Sequence, residues 1–198
     1  MNYCPTCGSR NLKLKIPDGD SFERYVCQDC HTIHYLNPRV IVGCLPIYED
    51  KIIICKRAIE PCQGMWNLPA GFMENGERAE DGALRELKEE TGLEGRILKL
   101  HCIYSIPHVN QVYMIFLTHI HSPEAVPGEE TLEVKYFEEN EVPWGDIGFT
   151  SSVYAIEKYI EYRSSNNNKT YIGSFVLDGP ENREEFTPKD NGNPRSDL

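Results

Sequence analysis

Apolar and polar positions change texture several times along this 198-residue chain. Up to about Asn37 the apolar residues are scattered and follow no period, so the segment has too little to bury for a core of its own. From Arg39 the texture shifts to short β-branched runs. Residues 39–46 and 51–55 read as two strands joined by a turn at Tyr48-Glu49-Asp50. Residues 79–91 carry helical spacing, and Gly92 stands where such a helix would stop. Further strands are expected at 95–105, 111–121 and 133–137. Residues 150–163 place Val153, Ile156, Tyr159 and Ile160 three and four apart, the mark of an amphipathic helix that closes the domain. Residues 164–168 read as a polar linker and 178–198 as a disordered tail, with one short strand expected at 171–177. No repeat of solenoid length occurs.

The unstructured-looking start needs another source of order, and its cysteines supply one. Cys4-Pro5-Thr6-Cys7 and Cys27-Gln28-Asp29-Cys30 are two tight pairs with nineteen residues between them. That spacing lets two knuckles fold around a single ion, and four thiolates suit tetrahedral zinc. A closed sulfur shell leaves no open position, so such a zinc is structural. His31 and His34 lie nearby, but four sulfurs already complete the shell. Cys44, Cys55 and Cys102 sit in apolar runs and read as small core residues.

Composition narrows the function. A formal charge of −11 and a pI near 5.0 disfavour any bulk nucleic-acid partner, which would need clustered Lys and Arg. Within the ribbon, Arg10, Lys13, Lys15 and Arg24 are balanced by Asp18, Asp20, Glu23 and Asp29, so a pure nucleic-acid-binding module is the weaker functional class. The start Met1-Asn2-Tyr3-Cys4 has neither a basic leader nor an apolar stretch, and no run of about 18 apolar residues exists. The expectation is a cytoplasmic protein without a membrane partner.

The chemistry concentrates on the helix at 79–91. At about 100° per residue, Glu86, Glu89 and Glu90 share one arc while Ala83, Leu84, Leu87 and Thr91 take the adjoining one. A solvated acidic face would show the same spacing. The glycine-bearing loop in front adds what such a face lacks: Gly71 and Gly76 allow a tight path that can bring a main-chain carbonyl toward the same cation. Hard oxygen donors of this kind suit magnesium or manganese. Arg85 can fix a carboxylate through its fork of donors, with Glu77 as a partner.

At this point the residues resemble a known family. Gly71, Glu77, Arg85, Glu86, Leu87, Glu89, Glu90, Gly92 and Leu93 match every fixed position of the Nudix box over 23 residues. The lead-in Trp66-Asn67-Leu68-Pro69-Ala70-Gly71 is similar too, with Ala70 where a second glycine is frequent. The resemblance implies an α/β fold, a mixed sheet in an α/β/α sandwich, preceded by the zinc ribbon. The expected division is ribbon 1–37, catalytic domain 38–163, and linker with tail 164–198. It also implies hydrolysis of the pyrophosphate bond of a nucleoside diphosphate derivative. Glu86, Glu89 and Glu90 would hold magnesium or manganese, with the Ala70 carbonyl as an extra ligand. A glutamate from a later loop can act as the base, and Glu133 is the residue expected in that role, with Glu129 and Glu130 beside it.

The ribbon, the passage His34-Tyr35-Leu36-Asn37-Pro38-Arg39 and the box together resemble two branches, one cleaving NADH, the other ADP-ribose or FAD. The motif Ser-Gln-Pro-Trp-Pro-Phe-Pro of the NADH branch is absent, and Tyr104-Ser105-Ile106-Pro107-His108-Val109-Asn110-Gln111 takes its place. ADP-ribose is therefore the first expectation, FAD the second and NADH the third. Tyr104, His108 and Tyr113 are expected to supply partners for an adenine ring, although core packing is the commoner fate for a residue such as Tyr113. Arg57 is expected to hold a phosphate. Family members often form homodimers, but no exposed apolar stripe marks an interface.

Overall fold

The computed structural model describes residues 1–165 and 169–177, without the side chains of 164 and 165. The readings placed on 166–168 and 178–198 fall outside the described residues. The chain divides into two compact units, Met1–Pro38 and Arg39–Leu198.

In the first unit, β1 (Leu12–Lys15), β2 (Arg24–Cys27) and β3 (Ile33–His34) form an antiparallel sheet in the order β1-β2-β3. Only Cys4, Pro17, Val26 and Cys27 are buried there. Burial of that extent cannot offset the entropy of ordering nearly forty residues, so the cysteine cluster must bear the cost.

The second unit is built on one mixed sheet. Its strands are β4 (Arg39–Tyr48), β5 (Lys51–Arg57), β6 (Trp66–Asn67), β7 (Ala70–Phe72), β8 (Gly95–Ile106), β9 (Gln111–Ile120), β10 (Thr131–Phe137) and β11 (Tyr171–Ser174). The main path runs β10-β5-β4-β9-β8-β11. Strand β4 reads as a continuous apolar run because both of its faces are covered. Leu45 and Ile47 enter one core with Tyr154, Ala155, Ile156 and Tyr159 of helix α2 (Thr150–Ser165). Val42 and Cys44 enter a second core with Ala83 and Leu87 of helix α1 (Ala79–Thr91). The result is the expected α/β/α sandwich. Helix α1 ends at Gly92, whose left-handed φ of 69° lets its N–H reach the Lys88 carbonyl at 2.8 Å.

A split in the sheet creates the site. Strand β4 pairs with β5 only at Ile47↔Ile52 and Tyr48↔Lys51. Beyond that point β6 pairs with β5 while β7 pairs with β4 through Ile41↔Phe72, Val42↔Gly71 and Gly43↔Ala70. The β6–β7 segment thus enters between two strands that have parted company. Gly43 is required at this join, because a Cβ there would meet the Ala70 side chain and lie 2.6 Å from the Pro69 carbonyl oxygen.

Two expectations change. The closing helix runs to Ser165, and the domain does not end at Arg163, since β11 pairs parallel to β8 through Tyr171↔Cys102 and Ser174↔Ser105. Tyr104, expected to face a nucleotide, is fully buried, with its ring centroid 4.9 Å from that of Tyr154. Its cross-strand partner Tyr113 lies on the same sheet face but is only partly buried and lines the apolar cavity described below. Among the described residues the Tyr104 hydroxyl meets no hydrogen-bond partner.

An unpaired buried hydroxyl costs roughly 1–3 kcal/mol. Tyr104→Phe is therefore expected to leave the urea unfolding midpoint unchanged or raised, and to leave substrate KM unchanged. A lowered midpoint or a raised KM would contradict the assignment of Tyr104 to the core.

Candidate active site

Where β7 enters the sheet, a cleft of about 650 Å³ opens against helix α1. Seven glutamates line it, namely Glu60, Glu74, Glu86, Glu89, Glu90, Glu129 and Glu130, against a single arginine, Arg57. Helical spacing brings Glu86, Glu89 and Glu90 to it together, as their shared arc requires. Gly71 lies directly beneath Glu86, and a Cβ there would collide with the carboxylate. The glycine thus provides clearance for the Glu86 carboxylate.

Arg85 organises the acids from the flank. It grips Glu77 with two donors, Nη2 to Oε1 at 2.9 Å and Nε to Oε2 at 3.2 Å. Its Nη1 donates to Glu86 Oε1 at 2.6 Å and Glu89 Oε2 at 3.1 Å, and Nη2 also reaches the Phe72 carbonyl at 3.2 Å. Glu77 in turn accepts from the Glu74 main-chain N–H at 2.6 Å. The Arg85 fork holds the Glu77 carboxyl below its ordinary range, and the same pairing raises Arg85 further.

Glu86 and Glu90 are pushed the other way. Burial raises Glu86, partly offset by Arg85. Glu90, only 8% exposed, is raised by burial to about 7, although Cys55 Sγ donates to its Oε2 at 3.2 Å. Two carboxyls kept partly out of water, with Glu86 held by Arg85 and Glu90 by the neutral Cys55 thiol, form a site that a divalent cation would complete. The glutamate oxygens do not close on one another as tightly as the ribbon thiols do, because Arg85 draws Glu86 and Glu89 while Glu90 turns to Cys55.

A second, largely apolar cavity of about 520 Å³ adjoins the acidic one and shares Arg57, Pro61, Ala70, Gly71 and Phe72 with it. Ile41, Ile106, His108, Tyr113, Phe149 and Phe175 complete its walls. Arg57 stands at the junction, held by a hydrogen bond from Nε to the Pro61 carbonyl at 2.8 Å and stacked over Phe149 at 5.3 Å. Arg39 lies over the exposed Phe72 ring at 4.9 Å. One continuous groove therefore has an acidic end, an arginine at its middle and an aromatic end.

In the ribbon, the four cysteine sulfurs lie within 4.8 Å of one another, and they form the one such cluster among the described residues. Cys4–Cys30 and Cys7–Cys27 are both 3.6 Å apart. That is far beyond a disulfide bond and close to the edge of about 3.8 Å that a tetrahedron of Zn–S bonds of about 2.3 Å requires. The knuckles are alike: the residue after each pair, Gly8 or His31, has a left-handed φ of 75° or 59°. His34 approaches Cys4 Sγ through Nε2 at 3.3 Å, outside the four-sulfur cluster, where it can support a ligand thiolate.

The structure thus brings Glu86, Glu89, Glu90, Ala70, Arg57, His108 and Tyr113 to one groove and removes Tyr104 to the core. Glu133 is absent from both linings and pairs with Lys135 at 3.2 Å; Glu129 and Glu130 take the cleft instead. Sequence reasoning gave no role to Phe149, Phe175 or the Cys55 contact. No local pattern marks them, since each reaches the groove from a separate part of the chain.

The chain matches the family profile described as NUDIX domain over residues 37–155 and that described as Nudix N-terminal over residues 2–36. It is 35% identical over 115 residues to the ADP-ribose pyrophosphatase of Methanocaldococcus jannaschii, covering 55% of this chain and 67% of that protein. It is 30% identical over 146 residues to the NAD-capped RNA hydrolase NudC of Vibrio vulnificus, covering 72% of this chain and 53% of that one. The chain therefore spans about half the length of that second relative. A crystal structure of a NUDIX hydrolase from Nitrosomonas europaea superposes with a TM-score of 0.84 at 46% identity, covering 88% of this chain and 99% of the other.

Two outcomes are expected of these sites. Purified protein should carry about one zinc per chain, and stripping it should raise amide exchange throughout residues 1–38; unchanged exchange would contradict a structural ion. A carboxyl raised in the fold contributes stability below its unfolded pKa and loses it as pH climbs through its folded value. In magnesium-free, zinc-replete buffer, the stability of the protein relative to Glu90→Gln should thus fall by roughly 2–3 kcal/mol between pH 4.5 and 7.5. Urea melts across that range test the sign, and a flat difference would show that Glu90 titrates normally.

Proposed function

The chain belongs to the Nudix family, and on that premise we propose that it is a divalent-cation-dependent pyrophosphohydrolase acting on a nucleoside diphosphate derivative, with ADP-ribose as first substrate. The supporting observation is the continuous groove, acidic at one end and aromatic at the other, with Arg57 between. A nucleoside diphosphate has the matching order: charged anhydride, then sugar, then flat base.

Glu86, Glu89 and Glu90, with the Ala70 carbonyl, are the residues that would hold magnesium or manganese. Such an ion would supply neutralisation of the diphosphate oxygens and a lowered pKa for the attacking water. Arg85 keeps two of the three glutamates in place through one nitrogen. Arg57 is set to hold a diphosphate oxygen, and its stack on Phe149 limits its freedom. Glu129 or Glu130, in place of Glu133, accepts the proton of water as it attacks phosphorus and the anhydride P–O bond breaks. From ADP-ribose the products are AMP and ribose 5-phosphate. In the ribbon, zinc on Cys4, Cys7, Cys27 and Cys30 orders the segment and takes no part in the reaction.

A second reading, cleavage of NADH or of the NAD cap of an RNA, is favoured by the 72% of this chain that aligns with NudC. The net charge of −11 favours the small molecule, since a long RNA would be repelled.

A panel of ADP-ribose, FAD, NADH, NAD and NAD-capped RNA, each with magnesium and with products separated, tests the reading. ADP-ribose should give the highest kcat/KM. Glu89→Gln and Glu90→Gln should each lower turnover by about a hundredfold or more while the fold persists. Near-normal turnover in both variants, or no product from any substrate, would overturn the proposal.

A further inference from the structure

The NUDIX match ends at residue 155, yet the sheet continues beyond it. Strand β11 adds to the free edge of β8 in parallel, with Gly173 opposite Tyr104. Its seat is tightly defined. A Cβ on Gly173 would lie 2.6 Å from Cζ of the Tyr154 ring, so the strand approaches helix α2 as closely as a backbone can. At the near end, Thr170 Oγ1 donates to the Leu100 carbonyl at 3.0 Å and Lys99 Nζ to the Lys169 carbonyl at 2.8 Å. At the far end, the Phe175 N–H donates to the Ser105 carbonyl at 2.9 Å.

These anchors deliver one ring to the groove. Phe175 lines the aromatic half and meets His108 edge-on, with centroids 5.6 Å apart and planes at 69°. Its ring is only partly buried. Phe149 lines the same cavity from the start of α2. A cavity of about 520 Å³ has the size of an ordinary small-molecule site, and flat aromatic walls suit a planar ring better than a chain or a sugar.

We propose that Phe175 is a specificity-determining residue that stacks on the nucleobase of the substrate, so that base recognition depends on a strand outside the family's common segment. The inference rests on the reading of the groove as a nucleoside diphosphate site. His108 braces the Phe175 ring through their T-shaped contact. Gly173 acts at one remove, as the residue that lets β11 lie where Phe175 can reach the groove.

The test uses the full chain and two readouts, steady-state kinetics and equilibrium binding of AMP by calorimetry. Phe175→Leu keeps apolar bulk and loses the flat ring, Phe175→Ala loses both, and Phe175→Tyr keeps the ring. Leu and Ala should raise the KM for ADP-ribose and the AMP dissociation constant roughly ten- to a hundredfold, with kcat within about threefold, and Tyr should stay within a few-fold of wild type. A base-free anhydride, P1,P2-di(5-ribosyl) diphosphate, should be cleaved equally well by wild type and Phe175→Leu. Equal losses on both substrates, an unchanged AMP affinity in Phe175→Leu, or no AMP binding by the wild type would overturn the inference. AMP binding that weakens as expected in a protein that cleaves nothing would sustain it and overturn the hydrolytic reading alone.

Discussion

The structure depends on holding carboxylates half out of water at the end of helix α1. Burial disfavours the charged form, and Glu90 shows the effect plainly, lifted to about 7. Nothing in the hydrophobic core rewards this arrangement. It persists because the surroundings confine it: Leu87 and Ala83 fasten the adjoining face of the helix into the core, the β6–β7 segment walls the acids from below, and Arg85 ties three glutamates with one guanidinium. Such confinement keeps Glu86, Glu89 and Glu90 on one cleft, with Arg85 holding the first two and Cys55 the third.

The split between β4 and β5 links this electrostatic problem to substrate shape. One continuous sheet would have left no room for Ala70 and Gly71 beside Glu86. By parting, the two strands admit a short segment whose backbone faces the acids and whose next residue, Phe72, begins the apolar wall. The charged and aromatic ends of the groove are therefore neighbours for a topological reason. Their shared rim includes Arg57, a positive charge placed between the two ends.

The cysteine cluster and the glutamate cluster answer different needs. Among the described residues the ribbon has four buried positions, two of them cysteines, and its order comes from sulfurs whose spacing already approaches a zinc tetrahedron. The groove has ample core beneath it and needs a cation for charge rather than for shape. Soft, fully enclosing donors suit the first task, and hard oxygens with room for a ligand suit the second.

Local chemistry made much of this legible in the sequence. Two Cys-x-x-Cys pairs and the carboxylates at positions 86, 89 and 90 announce themselves because thiolate knuckles and helical arcs are set by near neighbours. Helix α1 likewise begins and ends at Ala79 and Thr91, as its apolar spacing and Gly92 require. Tertiary structure alone decided the rest. Tyr104 and Tyr113 are cross-strand partners of similar character, and tertiary packing sets the first against Tyr154 in the core and leaves the second at the groove. Glu129 and Glu130 rather than Glu133 line the cleft, and the β10 pairing slips by a residue between Thr131 and Glu133. Phe175 reaches the groove only because the edge of β8 was open to β11. Such outcomes depend on which distant surfaces meet, and in a folded chain that is settled by packing between elements far apart in sequence, where no local pattern records it.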